Sequence, residues 1–180
     1  CKVTDAKHCI VGDERADVLA PELAGLPFGQ GHGSCFWVKD TVDREAPDWA
    51  MDANQTMQGQ SDQNPSETPG IVAGDVALYI FTSGTTGLPK AATYKQQRLV
   101  TAANLLGSLT LRPKPGDRLY LCLPIYHITG LGPGLCGFIA SGGTVCLRRT
   151  FSASKFWSEV QAWQTNSFVY VGELCRYLVT

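Results

Sequence analysis

The sequence lacks the cysteine and histidine patterns that hold metal ions or build disulfide frameworks. Its seven cysteines are an odd number and widely spaced, and no two of them form a C-x-x-C pair. With only three histidines, no cysteine–histidine cluster has the spacing of a zinc ligand set. We therefore expect no zinc site and no metal ligands among these residues, and we expect free buried thiols in a reducing compartment.

Secretion signals and membrane-spanning segments are also missing. The first 20 residues mix charges of both signs with short apolar runs, unlike a signal peptide. Residues 119–147 carry no formal charge, but they contain Pro124, Pro133 and six glycines, which favours buried strand, loop and glycine-rich helix over a bilayer span. We expect a protein that is not secreted and that lies in the cytoplasm or at the cytoplasmic face of a membrane. Peripheral membrane contact is left open.

Charged residues are scarce, at 17% of the chain, and they are divided unevenly. Residues 1–89 carry 5 basic and 13 acidic side chains, whereas residues 90–180 carry 10 basic and 3 acidic ones. The formal net charge of -1 therefore conceals an acidic half and a basic half. The basic half is compatible with polyanionic ligands.

The hydrophobic content of 44% is sufficient for a packed core and too high for a disordered chain of 180 residues. The first residue is not Met, and residues 172–180 read as a helix interrupted in mid-pattern. We therefore expect a fragment of a longer protein.

Three segments differ in pattern. Residues 1–38 contain a predicted strand at 7–11 and a predicted helix at 14–26, and we interpret them as a partial α/β subdomain. Residues 39–74 are polar, acidic and, up to residue 70, punctuated by three prolines. We interpret this segment as a linker or surface loop. Residues 75–180 form the third segment.

Strand and helix patterns alternate in the third segment. Continuous apolar runs, typical of parallel strands covered on both faces, occupy residues 75–81, 119–123, 144–147 and 168–171. Helical periodicity occupies residues 96–109 and 152–163, and Ser152 or Ser154 could cap the second helix. The alternation predicts an α/β fold with a mostly parallel sheet and flanking helices.

A loop of small and hydroxylated residues follows the first of these strands, in the stretch YIFTSGTTGLPK at residues 79–90. Small residues let backbone N–H groups approach a phosphate, hydroxyls add donors, and Lys90 supplies a cation. The loop is not a Walker loop, because Leu88 and Pro89 separate Gly87 from Lys90. We predict that it binds a polyphosphate. The residues concerned are Thr82, Ser83, Gly84, Thr85, Thr86, Gly87 and Lys90.

Two other patterns have plain structural explanations. Residues 132–137 spell G-x-G-x-x-G, but they follow a helix-like stretch and include Pro133, so we interpret them as close helix packing rather than as a dinucleotide site. Arg148, Arg149 and Lys155 form a basic cluster after a strand. A solvated strand end is the favoured interpretation, and contact with a CoA phosphate or an anionic membrane is the alternative.

Residues 79–90 resemble the phosphate-loop signature of the adenylate-forming superfamily of acyl-CoA synthetases, adenylation domains and luciferases. Within that superfamily, the chain is most similar to the fatty acid transport protein and very-long-chain acyl-CoA synthetase family. Three further stretches carry the narrower resemblance, which covers residues 75–180. They are LPIYH at 123–127, FSASKFW at 151–157 and VGELCRYL at 171–178.

The resemblance implies that the chain is a fragment of the large N-terminal domain of an adenylate-forming enzyme, with residues 75–180 as its AMP-binding core. It implies an ATP-dependent ligase joining a long-chain or very-long-chain fatty acid to CoA through an acyl-adenylate, coupled to fatty acid uptake. The ligands would be fatty acid, ATP, Mg²⁺ and CoA, and not nucleic acid. Thr82 and Lys90 would be catalytic, and Tyr126 and His127 would line the substrate pocket.

The same resemblance places the Mg²⁺-binding glutamate, the ribose-binding aspartate, the hinge and the C-terminal domain with its lysine beyond Thr180. We therefore expect this chain alone not to catalyse ligation. Gln96 stands where many relatives have a histidine, so the start of this helix lacks its usual polar residue and a cap there is in doubt. Three alternatives remain: a CoA ligase for a bile acid or carnitine-like acid, a non-catalytic fatty acid carrier, and a P-loop phosphotransferase.

Overall fold

The computed structural model describes residues 4–26, 33–41, 43–82 and 89–179. They divide into two units, Cys1–Pro69 and Gly70–Thr180. The described residues contain two parallel sheets, one antiparallel hairpin and flanking helices. The predicted α/β fold is confirmed.

The first unit contains a parallel sheet with strands in sequence order. Its strands are β1 (Cys9–Gly12), β2 (Cys35–Val38) and β3 (Met51–Asp52), and its helices are α1 (Asp13–Leu19) and α2 (Ala53–Met57). The helix predicted at residues 14–26 ends early, and Ala20–Gly25 is a 3₁₀ helix. Pro21 explains the change, because it has no N–H to donate to the carbonyl four residues earlier.

Regular structure also occurs within residues 39–74, where we predicted a loop. Strand β3 pairs with β2, and helix α2 follows at once. The loop prediction is wrong for residues 51–57. These residues form a short strand held by backbone pairing and a five-residue helix whose cap is Asp52, which accepts N–H bonds from Asn54 at 2.8 Å and Gln55 at 3.1 Å. Neither element is long enough to give a periodic pattern.

A buried carboxylate fixes the polar segment that follows β2. Asp13 is only 1% exposed. It accepts hydrogen bonds from the backbone N–H of Asp40 at 2.9 Å, and from the backbone N–H and hydroxyl of Thr41 at 2.7 and 3.0 Å. Because burial of an unpaired carboxylate is costly, these bonds hold residues 40–41 against the start of α1.

The second unit begins with an antiparallel hairpin of β4 (Val76–Thr82) and β5 (Lys90–Lys95). The strand predicted at residues 75–81 is confirmed, but its expected place in a parallel sheet is wrong. The short return to β5 makes the pairing antiparallel, and Tyr79 and Phe81 remain 42% and 50% exposed on the hairpin. A continuous apolar run therefore identified the strand but not its partner.

A second parallel sheet has the strand order β7-β6-β8. Its strands are β6 (Arg118–Leu121), β7 (Thr144–Leu147) and β8 (Ser167–Phe168), and β8 is shorter than the run predicted at 168–171. The central strand is covered on both faces. Leu119 and Leu121 pack with Phe138 on one face, and Tyr120 packs with Phe156 on the other. This sheet confirms the parallel arrangement inferred from apolar runs.

Helices form where the second unit was predicted to have them, but residues 103–111 form a π-helix instead of continuing the α-helical period predicted for residues 96–109. Helix α3 (Gln96–Ala102) continues as the π-helix Ala103–Leu111, and the π-helix Gly130–Cys136 continues as α4 (Gly137–Ala140). They are followed by α5 (Ala153–Ala162) and α6 (Gly172–Val179). Ser152 occupies the N-cap position of α5, but its hydroxyl lies 3.3 Å from that of Ser154 instead of capping the helix.

Two glycines of the G-x-G-x-x-G string, Gly132 and Gly137, lie where two helical segments touch. A Cβ placed on Gly137 would lie 2.7 Å from the Cα of Gly107 and 2.9 Å from the carbonyl oxygen of Ala103. A Cβ on Gly107 would lie 2.6 Å from the Cα of Gly137. The two backbones are therefore in direct contact, which confirms close helix packing as the explanation of this string.

Two further findings apply to the part of the chain that the structure describes. None of its helices combines the length and the apolar character needed to cross a bilayer. Its six cysteines form no disulfide.

Candidate active site

The hairpin brings Thr82 and Lys90 together at the two ends of the predicted phosphate loop. Thr82 is the last residue of β4 and Lys90 the first of β5, and they are direct partners in the strand register. The Thr82 hydroxyl lies 3.5 Å from the Lys90 carbonyl oxygen, at the outer limit of a hydrogen bond. Both residues are exposed. The hairpin thus presents a hydroxyl and a cation where the loop leaves and returns.

The remaining residues of the predicted phosphate loop, Ser83, Gly84, Thr85, Thr86 and Gly87, lie outside the described residues. Their assignment stays a prediction.

Helix α3 starts directly after β5, and its first turn is held by hydrogen bonds to the segment before β4. The backbone N–H of Gln96 donates to the Asp75 carbonyl at 2.9 Å, and that of Gln97 donates to the Ala73 carbonyl at 3.0 Å. No side chain caps the helix. The start of α3 therefore uses backbone carbonyls, and the side chain at position 96 is not needed as a cap.

Tyr126 and His127 lie in the turn after β6, beside an apolar cavity of about 280 Å³. Tyr126 is 77% exposed, and the backbone N–H of His127 closes the turn by donating to the Pro124 carbonyl at 3.1 Å. The cavity is also lined by Leu123, Pro124, Thr129, Gly130 and Val171. Its apolar lining suits a hydrocarbon chain.

The cavity at Tyr126 and His127 is lined by residues of the turn after β6 and its surroundings. Neither Thr82 nor Lys90 is among the described residues that line this cavity. The structure thus brings Thr82 to Lys90 across the hairpin and places Tyr126 and His127 in one turn.

A buried polar network in the second unit was not predicted from the sequence. The Tyr120 hydroxyl donates to Glu159 Oε2 at 2.7 Å, and Arg148 Nε lies 3.0 Å from each oxygen of the same carboxylate. Tyr120 is fully buried. Because the three residues lie 11 to 39 positions apart in sequence, on β6, directly after β7 and on α5, no local spacing signals the network. Arg148 is thus a paired residue rather than part of a fully solvated strand end.

Burial raises the pKa of Tyr120 well above its ordinary value, and the bond to the Glu159 carboxylate adds to the rise. The folded state therefore prefers the protonated phenol more strongly than the unfolded state does. The stability contributed by this preference is fully present below about pH 10, the ordinary tyrosine pKa, and is lost as the pH rises above it.

Replacing Tyr120 with Phe should remove the hydrogen bond, and with it the loss of stability at alkaline pH. We expect Y120F to lower the free energy of unfolding by about 2 kcal/mol at pH 7, because a bond to a charged acceptor is lost. The deficit should shrink above pH 10. Urea unfolding followed by circular dichroism at both pH values measures it, with Y79F, at an exposed tyrosine, as the control. A pH-independent deficit would contradict the assignment.

Within the described ranges, no group of three or more His, Cys, Asp or Glu side chains is arranged to hold a metal ion.

The comparisons with known proteins agree with the resemblance seen in the sequence. The AMP-binding enzyme family matches residues 1–180. The chain belongs to this family.

Among curated relatives, the chain is 47% identical over 175 residues to a medium/long-chain fatty-acid–CoA ligase of Mycobacterium tuberculosis, covering 97% of this chain and 27% of the relative. It is 41% identical to long-chain fatty acid transport protein 3 of Mus musculus, covering 97% of this chain and 25% of the relative. The chain thus spans about a quarter of the length of these relatives.

The fold is also similar to that of solved structures. The solved structure of ATP-bound MatB from Rhodopseudomonas palustris superposes with a TM-score of 0.74 at 23% identity, covering 99% of this chain and 33% of that one.

Proposed function

We propose that this chain is part of an ATP-dependent ligase that joins a long-chain or very-long-chain fatty acid to CoA through an acyl-adenylate. The observation that carries the proposal is the 47% identity to a fatty-acid–CoA ligase across nearly the whole chain. The apolar cavity at Tyr126 and the phosphate-type loop between β4 and β5 are consistent with it. Residues 75–180 are proposed as the AMP-binding core.

In the first half-reaction, a carboxylate oxygen of the fatty acid attacks the α-phosphorus of ATP, and the bond to pyrophosphate breaks. Negative charge grows on the leaving pyrophosphate, so fixed donors and cations lower the barrier more than a protein nucleophile would. Lys90 supplies such a cation, and the Thr82 hydroxyl supplies a donor. Mg²⁺ bound to the ATP phosphates would add positive charge at the same place.

In the second half-reaction, the CoA thiolate attacks the acyl carbonyl carbon and AMP leaves. Tyr126 and His127 are proposed to form the wall of the acyl pocket. We assign them no proton transfer, because the Tyr126 ring is exposed and the cavity that both residues line is almost wholly apolar.

Several relatives carry the name long-chain fatty acid transport protein. On that ground we propose that ligation is coupled to fatty acid uptake at the cytoplasmic face of a membrane. A fatty acid that is retained in the cell as its CoA thioester can accumulate only as fast as it is ligated. Fatty acid uptake that persists in cells after Lys90 is replaced would therefore favour a carrier instead.

The substrate class is tested by carboxylate-dependent exchange of labelled pyrophosphate into ATP. The protein would be a polypeptide that carries this chain together with the remaining length of its relatives. We expect exchange with oleate or a longer fatty acid at least about tenfold faster than with cholate or a carnitine-like acid, because one apolar pocket lacks partners for their polar groups. Faster exchange with cholate would instead indicate a bile acid ligase.

A further inference from the structure

A second cavity adjoins Tyr126, and it differs from the apolar one in charge. It has a volume of about 360 Å³ and is lined by Leu147, Arg148 and Arg149 in addition to Tyr126. No carboxylate is among its lining residues. The cavity therefore pairs two cations with an apolar wall that it shares with its neighbour.

Both sides of this cavity come from the carboxyl ends of neighbouring parallel strands. Tyr126 follows β6, and Arg148 and Arg149 follow β7. Ligands of open parallel α/β sheets bind outside this edge of the sheet. The position is thus one where a ligand is expected on topological grounds alone.

Arg148 reaches the cavity with part of its guanidinium group uncommitted. Its Nε is held by Glu159 at 3.0 Å, whereas its Nη1 and Nη2 donate to no residue that the structure describes. Its side chain is 27% exposed. A planar pair of N–H groups matches two oxygens of a phosphate, which a lysine cannot do.

The orientation of Arg148 is fixed from inside the protein. Glu159 is itself held by the Tyr120 hydroxyl at 2.7 Å, and Tyr120 is fixed among aromatic rings. Their centroids lie 5.0 to 6.0 Å from that of Tyr120, and they belong to Phe156, Trp163 and Phe168. A cation held in this way loses little conformational freedom when it binds an anion.

We propose that Arg148 binds a phosphate group in this cavity, that Arg149 adds charge to the site, and that Glu159 is a positioning residue for Arg148. The ligand is a soluble phosphate ester. Under the proposed function, on which this point rests, the sources are ATP and the nucleotide end of CoA.

The test is isothermal titration of this chain with two probes, adenosine 3′,5′-bisphosphate and ATP. We expect R148Q to weaken the binding of one of them about tenfold, because a bidentate charged contact is lost. The probe whose binding weakens identifies which ligand supplies the phosphate group. R112Q removes the same charge from an exposed arginine of the same unit and should bind both probes as the unmodified chain does.

Two more variants separate orientation from charge. E159Q removes one negative charge, so simple attraction would tighten phosphate binding, whereas loss of positioning should weaken it about threefold or more. R148K keeps the charge but loses the planar fork, and it should weaken binding even if R148Q fails to fold. Circular dichroism spectra and melting curves show which variants are folded.

Three results would overturn the proposal. The first is that neither nucleotide binds the unmodified chain at millimolar concentration. The second is that R148Q and R112Q lose equal affinity for the probes. The third is that R148Q binds both nucleotides normally and loses affinity only for vesicles of phosphatidic acid and phosphatidylcholine, measured as a further probe. The last would assign Arg148 to a lipid headgroup. If these results occur while pyrophosphate exchange with oleate persists in the longer polypeptide, only this inference fails and the proposed function stands.

Discussion

Replacing Lys90 with Ala should slow acyl-adenylate formation about 100-fold, because a cation facing the leaving pyrophosphate is lost from the transition state. Transfer of the acyl group from preformed adenylate to CoA should change little, since pyrophosphate has already departed. The two rates are measured separately in a polypeptide with the remaining length of the relatives. Pyrophosphate exchange reports the first rate, and thioester formation from synthetic oleoyl-adenylate reports the second.

Lys95 provides the matched control for Lys90. It is an exposed lysine on the same strand, but it pairs with Val76 at the far end of the hairpin. K95A should leave both rates within about twofold of the unmodified enzyme, as expected for a surface substitution away from the reacting groups. Equal losses of both half-reactions in K90A would count against a phosphate role for Lys90.

Replacing Gly137 with Ala should lower the free energy of unfolding by about 3 kcal/mol, the upper part of the usual range for overpacking. The added Cβ would lie 2.7 Å from the Gly107 Cα, and backbone atoms cannot move aside as the end of a side chain can. The better helix propensity of Ala offsets at most about 1 kcal/mol of this cost. Urea unfolding followed by circular dichroism gives the value.

Gly74 is the control for Gly137, because a Cβ there meets no atom within 4 Å and its backbone is not left-handed. G74A should alter the free energy of unfolding by less than about 0.5 kcal/mol. A G137A variant as stable as G74A would mean that the two helical segments are not in direct backbone contact.

Elements with long uniform patterns could be predicted from the sequence. The runs at β4, β6 and β7 and the periodicity of α3, α5 and α6 each gave the right element. Strand pairing could not be predicted for β4, because its apolar residues look the same in a parallel sheet and in an exposed hairpin. Strand β3 was missed because two residues joined by backbone bonds leave no side-chain pattern.

The residues of the candidate site also include some that could be predicted from the sequence and some that could not. Thr82 and Lys90 were found because their loop carries a dense local signature, and the register pairing added that the two residues face each other. The network of Tyr120, Arg148 and Glu159 was missed, since it depends on contacts between residues 11 to 39 positions apart. Such contacts become visible only when strands and helices are placed in space.

Transfer of ¹⁸O from a labelled fatty acid is the most direct test of the central claim, an acyl-adenylate mechanism. Attack of the carboxylate on the α-phosphorus leaves one carboxylate oxygen bound to that phosphorus when AMP departs. With doubly labelled oleate and the longer polypeptide, we therefore predict one ¹⁸O atom in each AMP formed and none in pyrophosphate. Label in inorganic phosphate, with ADP as the nucleotide product, would mean attack on the γ-phosphorus and would contradict the account.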